Sequence, residues 1–76
     1  MKVGDTDQIT VMGKTWTVKK LAAGEEIGSS APTFKVVDGP IPVAGYWYRL
    51  RGARRGIRRQ YRRHLERLRR DGRGDG

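Results

Sequence analysis

The sequence predicts a small α+β fold, in which an antiparallel β-sheet or open barrel of three or four strands is followed by one long basic C-terminal helix. Two observations support this prediction. The hydrophobic period changes from two residues to about 3.6 near residue 46, and arginine replaces lysine as the basic residue at the same place. A chain of 76 residues allows one domain at most. We therefore expect a β platform at residues 1–45, an arginine-rich amphipathic helix at 46–71 and a disordered tail at 72–76.

Residues 8–12 and 15–19 alternate apolar and polar side chains, which is typical of half-buried β-strands. Gly13 and Lys14 lie between them, with glycine at the first central position, as a type II′ hairpin turn prefers. Because successive side chains of a strand point to opposite faces, we expect one buried face that contains Ile9, Val11, Trp16 and Val18.

The chain between this hairpin and the helix is rich in glycine and proline, which predicts short elements separated by loops. Residues 21–32 are expected to form a loop, and residues 33–37 a third strand that ends in an Asp-Gly-Pro turn. Residues 41–43 are a candidate fourth strand. Pro40 and Pro42 would confine that strand to an edge of the sheet, because proline has no amide hydrogen to donate.

Apolar residues then recur at spacings of three and four, which predicts an amphipathic helix over residues 50–70, about 30 Å long. Gly52 and Gly56 weaken its first two turns, each by about 1 kcal/mol relative to alanine. Gly72 is a natural stop signal after the last periodic residue. His64 lies within the predicted apolar stripe, which consists of Leu50, Ala53, Ile57, Tyr61, Leu65 and Leu68.

The net charge of +9 is concentrated at one end of the chain. In residues 1–48, five lysines and five acidic residues cancel, and there is no arginine. Residues 49–70 contain eleven arginines, no lysine and one acid, Glu66. Codon bias would favour arginine along the whole chain, so the segregation indicates selection for guanidinium groups, which pair with phosphate through two hydrogen bonds and stack on bases. Such asymmetry is typical of a nucleic-acid or membrane partner.

We interpret the arginine-rich segment as a surface for a polyanion, most simply nucleic acid. Its composition resembles the arginine-rich motifs of nucleic-acid-binding proteins, over about a third of the chain. An ordinary solvated helix face would mix charges of both signs, and this one carries a single acid. Neutral hydrogen-bonding side chains are scarce, so phosphate contacts should dominate. The predicted contact residues are Arg51, Arg54, Arg55, Arg58, Arg59, Gln60, Arg62, Arg63, Arg67, Arg69 and Arg70.

Three consecutive aromatic residues precede the basic run. Rings beside arginines suit base stacking, for which Tyr46 and Tyr48 are the candidates. In so small a domain, aromatic rings are also needed to close the core. We expect the core role for Trp47, packed against Trp16, with one tyrosine left exposed, so that replacing Trp47 lowers stability more than affinity.

Three shorter patterns have competing interpretations. Residues 13–15, Gly-Lys-Thr, resemble the end of a phosphate-binding loop, but the glycine required five residues earlier is Gln8, which favours a hairpin turn. Gly52 and Gly56 lie on the polar side of the predicted helix, where they either allow close approach of a backbone or phosphate or are incidental. Residues 73–75 match the integrin-recognition tripeptide Arg-Gly-Asp, which we interpret as accidental in a tail of Gly, Arg and Asp.

The composition argues against several classes of protein. Cysteine is absent and His64 is the single histidine, so we expect neither a metal site nor another cofactor. No paired carboxylates and no Ser–His–acid set can be assembled, so we do not expect an enzyme. No apolar run approaches the roughly 20 residues of a membrane span, and residues 1–10 lack the hydrophobic block of a signal peptide. A cytoplasmic or other intracellular location, or a virion, is expected.

Two functions from different classes remain open. The first is a small basic protein that binds DNA or RNA through the phosphate backbone, largely independently of sequence. The second is a small bacteriophage virion or structural protein, whose β part docks on a partner protein while the arginines face packaged DNA or an acidic surface. A protein partner or a homo-oligomer would suit the second, because a chain of this size buries a small core. A cationic helix on an anionic membrane is disfavoured by the narrow apolar stripe.

Overall fold

A computed structural model describes residues 2–26, 28 and 32–74, with side chains up to residue 70. The four strands form one open antiparallel sheet in the order β1-β2-β3-β4, and a single helix follows. This confirms the predicted α+β class. The elements are β1 (Thr6–Val11), β2 (Lys14–Leu21), β3 (Thr33–Asp38), β4 (Tyr46–Trp47) and α1 (Leu50–Gly74).

β1 and β2 form a tight hairpin, but its turn residues are Met12 and Gly13, not the predicted Gly13 and Lys14. Both have positive φ, 52° at Met12 and 78° at Gly13, which is the geometry of a type I′ turn. Glycine at the second central position supports this turn, whose twist matches that of the two strands. Ile9 therefore pairs with Trp16. The predicted buried face is confirmed, since Ile9, Val11, Trp16 and Val18 are all buried.

The third strand is confirmed, whereas the fourth strand lies elsewhere than predicted. Residues 41–43 form no strand, because Pro40 and Pro42 cannot donate the hydrogen bonds of a ladder. This segment instead packs at the edge of the core, where Val43 is buried. The fourth strand is β4, whose two residues pair with Phe34 and its neighbour on β3.

The helix begins at Leu50, as the periodicity of residues 50–70 predicts. The first residues of the 46–71 segment therefore precede it, and two of them, Tyr46 and Trp47, form β4. The helix continues past the predicted stop at Gly72, so residues 72–74 are helical although we expected them in a disordered tail; residues 75–76 lie outside the described part. A single glycine costs a helix about 1 kcal/mol and no proline follows, so nothing in the sequence forces the helix to end there.

The apolar stripe attaches the helix to one face of the sheet. Five of its six predicted members are buried or partly buried: Leu50, Ala53, Ile57, Tyr61 and Leu65. The sixth, Leu68, is 54% exposed. The C-terminal turns of the helix therefore extend beyond the sheet, which agrees with a molecule that measures 49 × 23 × 17 Å.

Trp16 lies at the centre of the core and has no exposed surface. Its ring packs edge-to-face on Tyr61, with 5.3 Å between the ring centroids and 66° between the planes. Its indole N–H donates a hydrogen bond of 3.1 Å to the carbonyl oxygen of Ile41. A Cβ atom on Gly39 would lie 2.0 Å from Trp16 Cδ1, so the loop after β3 can cross the indole because residue 39 is glycine.

Candidate nucleic-acid interface

The eleven arginines between Arg49 and Arg70 are all exposed. None of them forms a salt bridge with any residue whose side chain the structure describes; the ion pair found there joins Lys35 and Glu26 on the sheet. Glu66, the one acid of this part of the helix, is exposed as well. Within the described part, the guanidinium groups are therefore open to an external anion.

The arginines occupy different positions around the helix, because the buried stripe fixes its orientation and successive residues are about 100° apart. Arg51 and Arg54 lie beside β1, where they share a cleft with Asp7. Near the C-terminus, Arg69 and Arg70 lie beyond the part of the helix that packs on the sheet. Three arginines on the side facing away from the sheet are called the ridge arginines below: Arg55, Arg58 and Arg62. They line a shallow depression together with Glu66 and with two further arginines, Arg59 and Arg63.

The remaining predicted arginines line a groove between the helix and the loop before β4. This groove has a volume of about 610 Å³. One wall carries the groove arginines, which are Arg59, Arg63 and Arg67. The other wall is formed by Ile41, Pro42, Ala44, Gly45 and Trp47, and Gly56, Gln60 and His64 complete the lining. No acidic residue of the described part lines the groove.

Gln60 connects the two walls of this groove. The backbone amide of Ala44 donates a 3.0 Å hydrogen bond to Gln60 Oε1, and Gln60 Nε2 donates to the carbonyl oxygen of Ala44. These two bonds fix the loop to the helix across sixteen residues of sequence. They also use one donor and one acceptor site of the amide that the sequence predicts as a nucleic-acid contact.

Gly52 and Gly56 both face the side chain of Trp47. A Cβ atom on Gly56 would lie 2.4 Å from Trp47 Cζ2, so this glycine is not incidental. On Gly52 the nearest atom, Trp47 Cβ, would be 3.5 Å away. Trp47 is thus partly buried against the helix. Among the described residues, the aromatic ring that packs on Trp16 is Tyr61. The predicted pairing of Trp47 with Trp16 is therefore wrong.

Tyr46, one of the two predicted stacking residues, belongs to a hydrogen-bond network on the sheet face opposite the helix. Its hydroxyl donates to Glu26 Oε2 at 3.2 Å, and the Lys35 ammonium donates to both carboxylate oxygens, at 2.9 and 3.0 Å. The hydrogen bond from Lys35 lowers the pKa of the Glu26 carboxyl; partial desolvation opposes this shift and the Tyr46 hydroxyl adds to it. The same bond raises the pKa of Lys35.

Tyr48, the other predicted stacking residue, is the more accessible one. It is 65% exposed, against 43% for Tyr46. The guanidinium carbon of Arg49 lies 5.8 Å from the centroid of the Tyr48 ring, within the range of a cation–π contact. An exposed ring therefore lies next to an arginine at the start of the helix, which is the arrangement that base stacking would need.

Other kinds of site find little support in the part of the chain that the structure describes. It contains no cluster of three potential metal ligands, and no helix there has the length and apolar character needed to cross a membrane. Gly13 lies in the hairpin turn and Lys14 begins β2, so residues 13–15 lack the helix that follows a phosphate-binding loop. The tripeptide at 73–75 includes Asp75, which lies outside the described residues.

Comparison of the chain with protein-family models, with curated proteins and with solved structures gives no match.

Proposed function

We propose that this protein binds nucleic acid, that it contacts the phosphate backbone of DNA or RNA through α1 largely independently of sequence, and that it has no catalytic activity. The observation that carries the proposal is the set of eleven exposed arginines on one helix, none of them in a salt bridge with a described side chain. The proposed place of action is the cell interior or a virion, where nucleic acid is present.

The charge density of the helix supports this proposal. Eleven arginines and one glutamate leave ten net positive charges within residues 49–70. These residues span about 33 Å along the helix, and duplex DNA carries about 20 phosphate charges over the same length. Contact between two surfaces of such opposite density releases many condensed counterions, which is the main driving force of non-specific nucleic-acid binding.

The hydrogen-bonding groups of the helix favour phosphates over base edges. Guanidinium groups donate hydrogen bonds and accept none, and they match phosphate oxygens in pairs. Gln60, the predicted neutral contact, already uses part of its amide on Ala44. Few groups are left that would distinguish one base from another, so sequence should have little effect on affinity.

The decisive measurement is the affinity for a mixed-sequence duplex across salt concentrations, from fluorescence anisotropy between about 50 and 200 mM. If six to ten phosphates are contacted, the slope of log K against log salt lies between about −5 and −9. Affinity that is insensitive to salt would refute the proposal. A chain that aggregates or is unfolded alone, and binds only together with a partner protein, would instead support the virion or structural role.

Two variants of equal charge separate a contact made by the helix from a general effect of net charge. The ridge variant replaces Arg55, Arg58 and Arg62 by glutamine and so removes three charges from the helix. Glutamine has nearly the same helix propensity as arginine. Lys2, Lys14 and Lys19→Gln removes three charges from the β part. We expect the ridge variant to reduce the slope by about 3 units and the lysine variant to leave it nearly unchanged. Equal effects of the two variants would contradict a binding surface on α1.

A further inference from the structure

The two flanks of the helix differ in the sign of their surroundings. On the β1 side, Asp7 lies in the cleft with Arg51 and Arg54. Glu66 lines the outer depression together with the ridge arginines and with Arg59 and Arg63. The groove on the β4 side contains no acidic residue among the described ones that line it. An anion that enters the groove therefore meets a cationic wall that carries no carboxylate, whereas the β1 cleft contains Asp7. Arg59 and Arg63 also border the outer depression that contains Glu66, but within the groove this flank favours a phosphate chain more than the β1 cleft does.

The groove arginines form a regular row. Arg59, Arg63 and Arg67 are spaced by four residues, so they lie on one face of α1 and rise by about 6 Å from one to the next. All three are exposed. A row of cations along a groove matches a chain of repeating anions better than it matches one isolated anion, and an extended sugar–phosphate backbone is such a chain.

The wall opposite this row is apolar and held in place. Ile41, Pro42 and Trp47 supply apolar surface, and the paired hydrogen bonds between Gln60 and Ala44 hold the loop at the helix. A ligand would not have to order this loop, which lowers the entropic cost of binding. The combination of a cationic wall and an apolar wall suits a nucleotide, which has a charged backbone and a flat base.

The size of the groove distinguishes between forms of nucleic acid. Its volume of about 610 Å³ lies within the range of clefts that enclose small molecules, roughly 300–1,000 Å³. One or two unpaired nucleotides fill such a volume, whereas a base-paired duplex is too large to be enclosed in it. A duplex can reach the ridge arginines, but an unpaired strand can reach both walls of the groove.

From this arrangement we infer that the groove binds single-stranded nucleic acid, with successive phosphates on Arg59, Arg63 and Arg67 and an unpaired base against Pro42 and the edge of Trp47. This inference rests on the proposed function and deepens it. The ridge arginines then provide contacts to any polyanion, and the groove provides a preference for unpaired strands.

The test uses a fluorescent oligothymidylate of about 12 nucleotides and two variants that each lose three arginines. The groove variant replaces Arg59, Arg63 and Arg67 by glutamine. It is expected to raise the Kd for this strand at least about tenfold. Its salt slope should be smaller by about 2 units, since each phosphate on a single strand contributes about 0.7 to the slope. The ridge variant lacks the same number of charges. It is expected to raise this Kd by a factor at least about three times smaller than the factor for the groove variant. On a duplex, which does not enter the groove, the order should reverse, and the ridge variant should weaken binding more than the groove variant does.

A second probe separates base contacts from phosphate contacts. An abasic oligomer with the same number of phosphates should bind the wild-type protein about fivefold or more weakly than oligothymidylate, and this difference should disappear in the groove variant. Circular dichroism of each variant establishes that α1 is still formed.

Four outcomes would overturn the inference. If groove and ridge variants weaken single-strand binding equally, or if the abasic oligomer binds as well as oligothymidylate, the groove has no selective role and the proposed function still stands. If an oligoglutamate peptide of equal charge binds the groove more tightly than the strand does, the groove is a site for an acidic protein. If the wild-type protein binds no nucleic acid, the proposed function fails as well.

Discussion

Gly52→Ala and Gly56→Ala should change the stability of the protein in opposite directions, although both glycines lie on the same side of α1. Alanine is favoured over glycine in a helix by up to about 1 kcal/mol. At Gly52 the added Cβ would lie 3.5 Å from Trp47 Cβ, which is ordinary van der Waals contact. The first substitution should therefore raise the free energy of unfolding by up to about 1 kcal/mol.

At Gly56 the same propensity gain is outweighed by a clash. The added Cβ would lie 2.4 Å from Trp47 Cζ2 and 2.5 Å from Cε2, far inside the roughly 3.5–4.0 Å that carbon atoms prefer. The indole is rigid and its backbone is held in β4, so the cost should be at the upper end of the usual 1–3 kcal/mol for overpacking. Subtracting the gain of about 1 kcal/mol leaves a net loss of about 2 kcal/mol.

Urea denaturation followed by far-ultraviolet circular dichroism measures both effects, and in thermal unfolding of a chain this small 1 kcal/mol corresponds to about 4–8 °C. The cause is tested by repeating Gly56→Ala in a Trp47→Leu background, where the flexible side chain can rotate away and the substitution should become neutral or stabilising. Equal stabilisation by Gly52→Ala and Gly56→Ala in the wild-type protein would refute the reasoning. So would a loss that persists after Trp47 is replaced.

The remaining predictions concern three other contacts. Ile57→Ala should cost about 2–5 kcal/mol because the side chain is fully buried, whereas Leu68→Ala should change stability by less than about 0.5 kcal/mol; urea denaturation compares them. Gln60→Ala should cost about 1 kcal/mol through the two lost hydrogen bonds to the loop, with faster amide exchange in that loop. Because the ion pair with Lys35 lowers the pKa of Glu26, its contribution is present above the unfolded pKa and is lost as the pH falls through the folded pKa. Glu26→Gln should therefore be less stable than wild type at neutral pH, and the difference should shrink below about pH 4.

The parts of the fold that local periodicity encodes could be predicted from the sequence. Ile9 and Trp16 alternate with polar neighbours, and Ala53, Ile57 and Tyr61 recur at helical spacing, because one face of each element must leave water. These residues form the core that joins the hairpin to the helix. A pattern of this kind depends on burial alone, so it holds whatever the detailed turn geometry is.

The parts that depend on contacts between distant segments could not be predicted. A two-residue strand such as β4 has no period to detect, and its position depends on pairing with β3. Gly52 and Gly56 appear as weak points of a polar helix face until Trp47 is placed against them. The loop that forms the second wall of the groove was not predicted for the same reason. It contacts the helix through Gln60, whose partner is the backbone of Ala44, and a backbone group gives no signal in the sequence.

The candidate site shows the same division between local and tertiary information. Segregation of arginine to residues 49–70 predicts a polyanion surface, and the eleven side chains are indeed exposed. The sequence does not indicate how they divide into groups, because that depends on which neighbours each flank of the helix has. Asp7 stands on one flank and an apolar loop on the other, and neither position follows from the helix pattern.

Packing on the sheet stabilises the N-terminal part of the helix, whereas the C-terminal part extends beyond the core. Its first turn carries no acidic residue, and Arg49 and Arg51 lie where the helix dipole disfavours cations. The buried contacts of Ala53 and Ile57 and the indole on Gly56 must therefore stabilise this end. Toward the C-terminus the contacts with the core diminish, but next to the last turn the dipole favours an arginine such as Arg70, by about 0.3–1 kcal/mol. The C-terminal arginines thus lie where the core does not need the side chains, which leaves that end of the helix accessible to a polyanion.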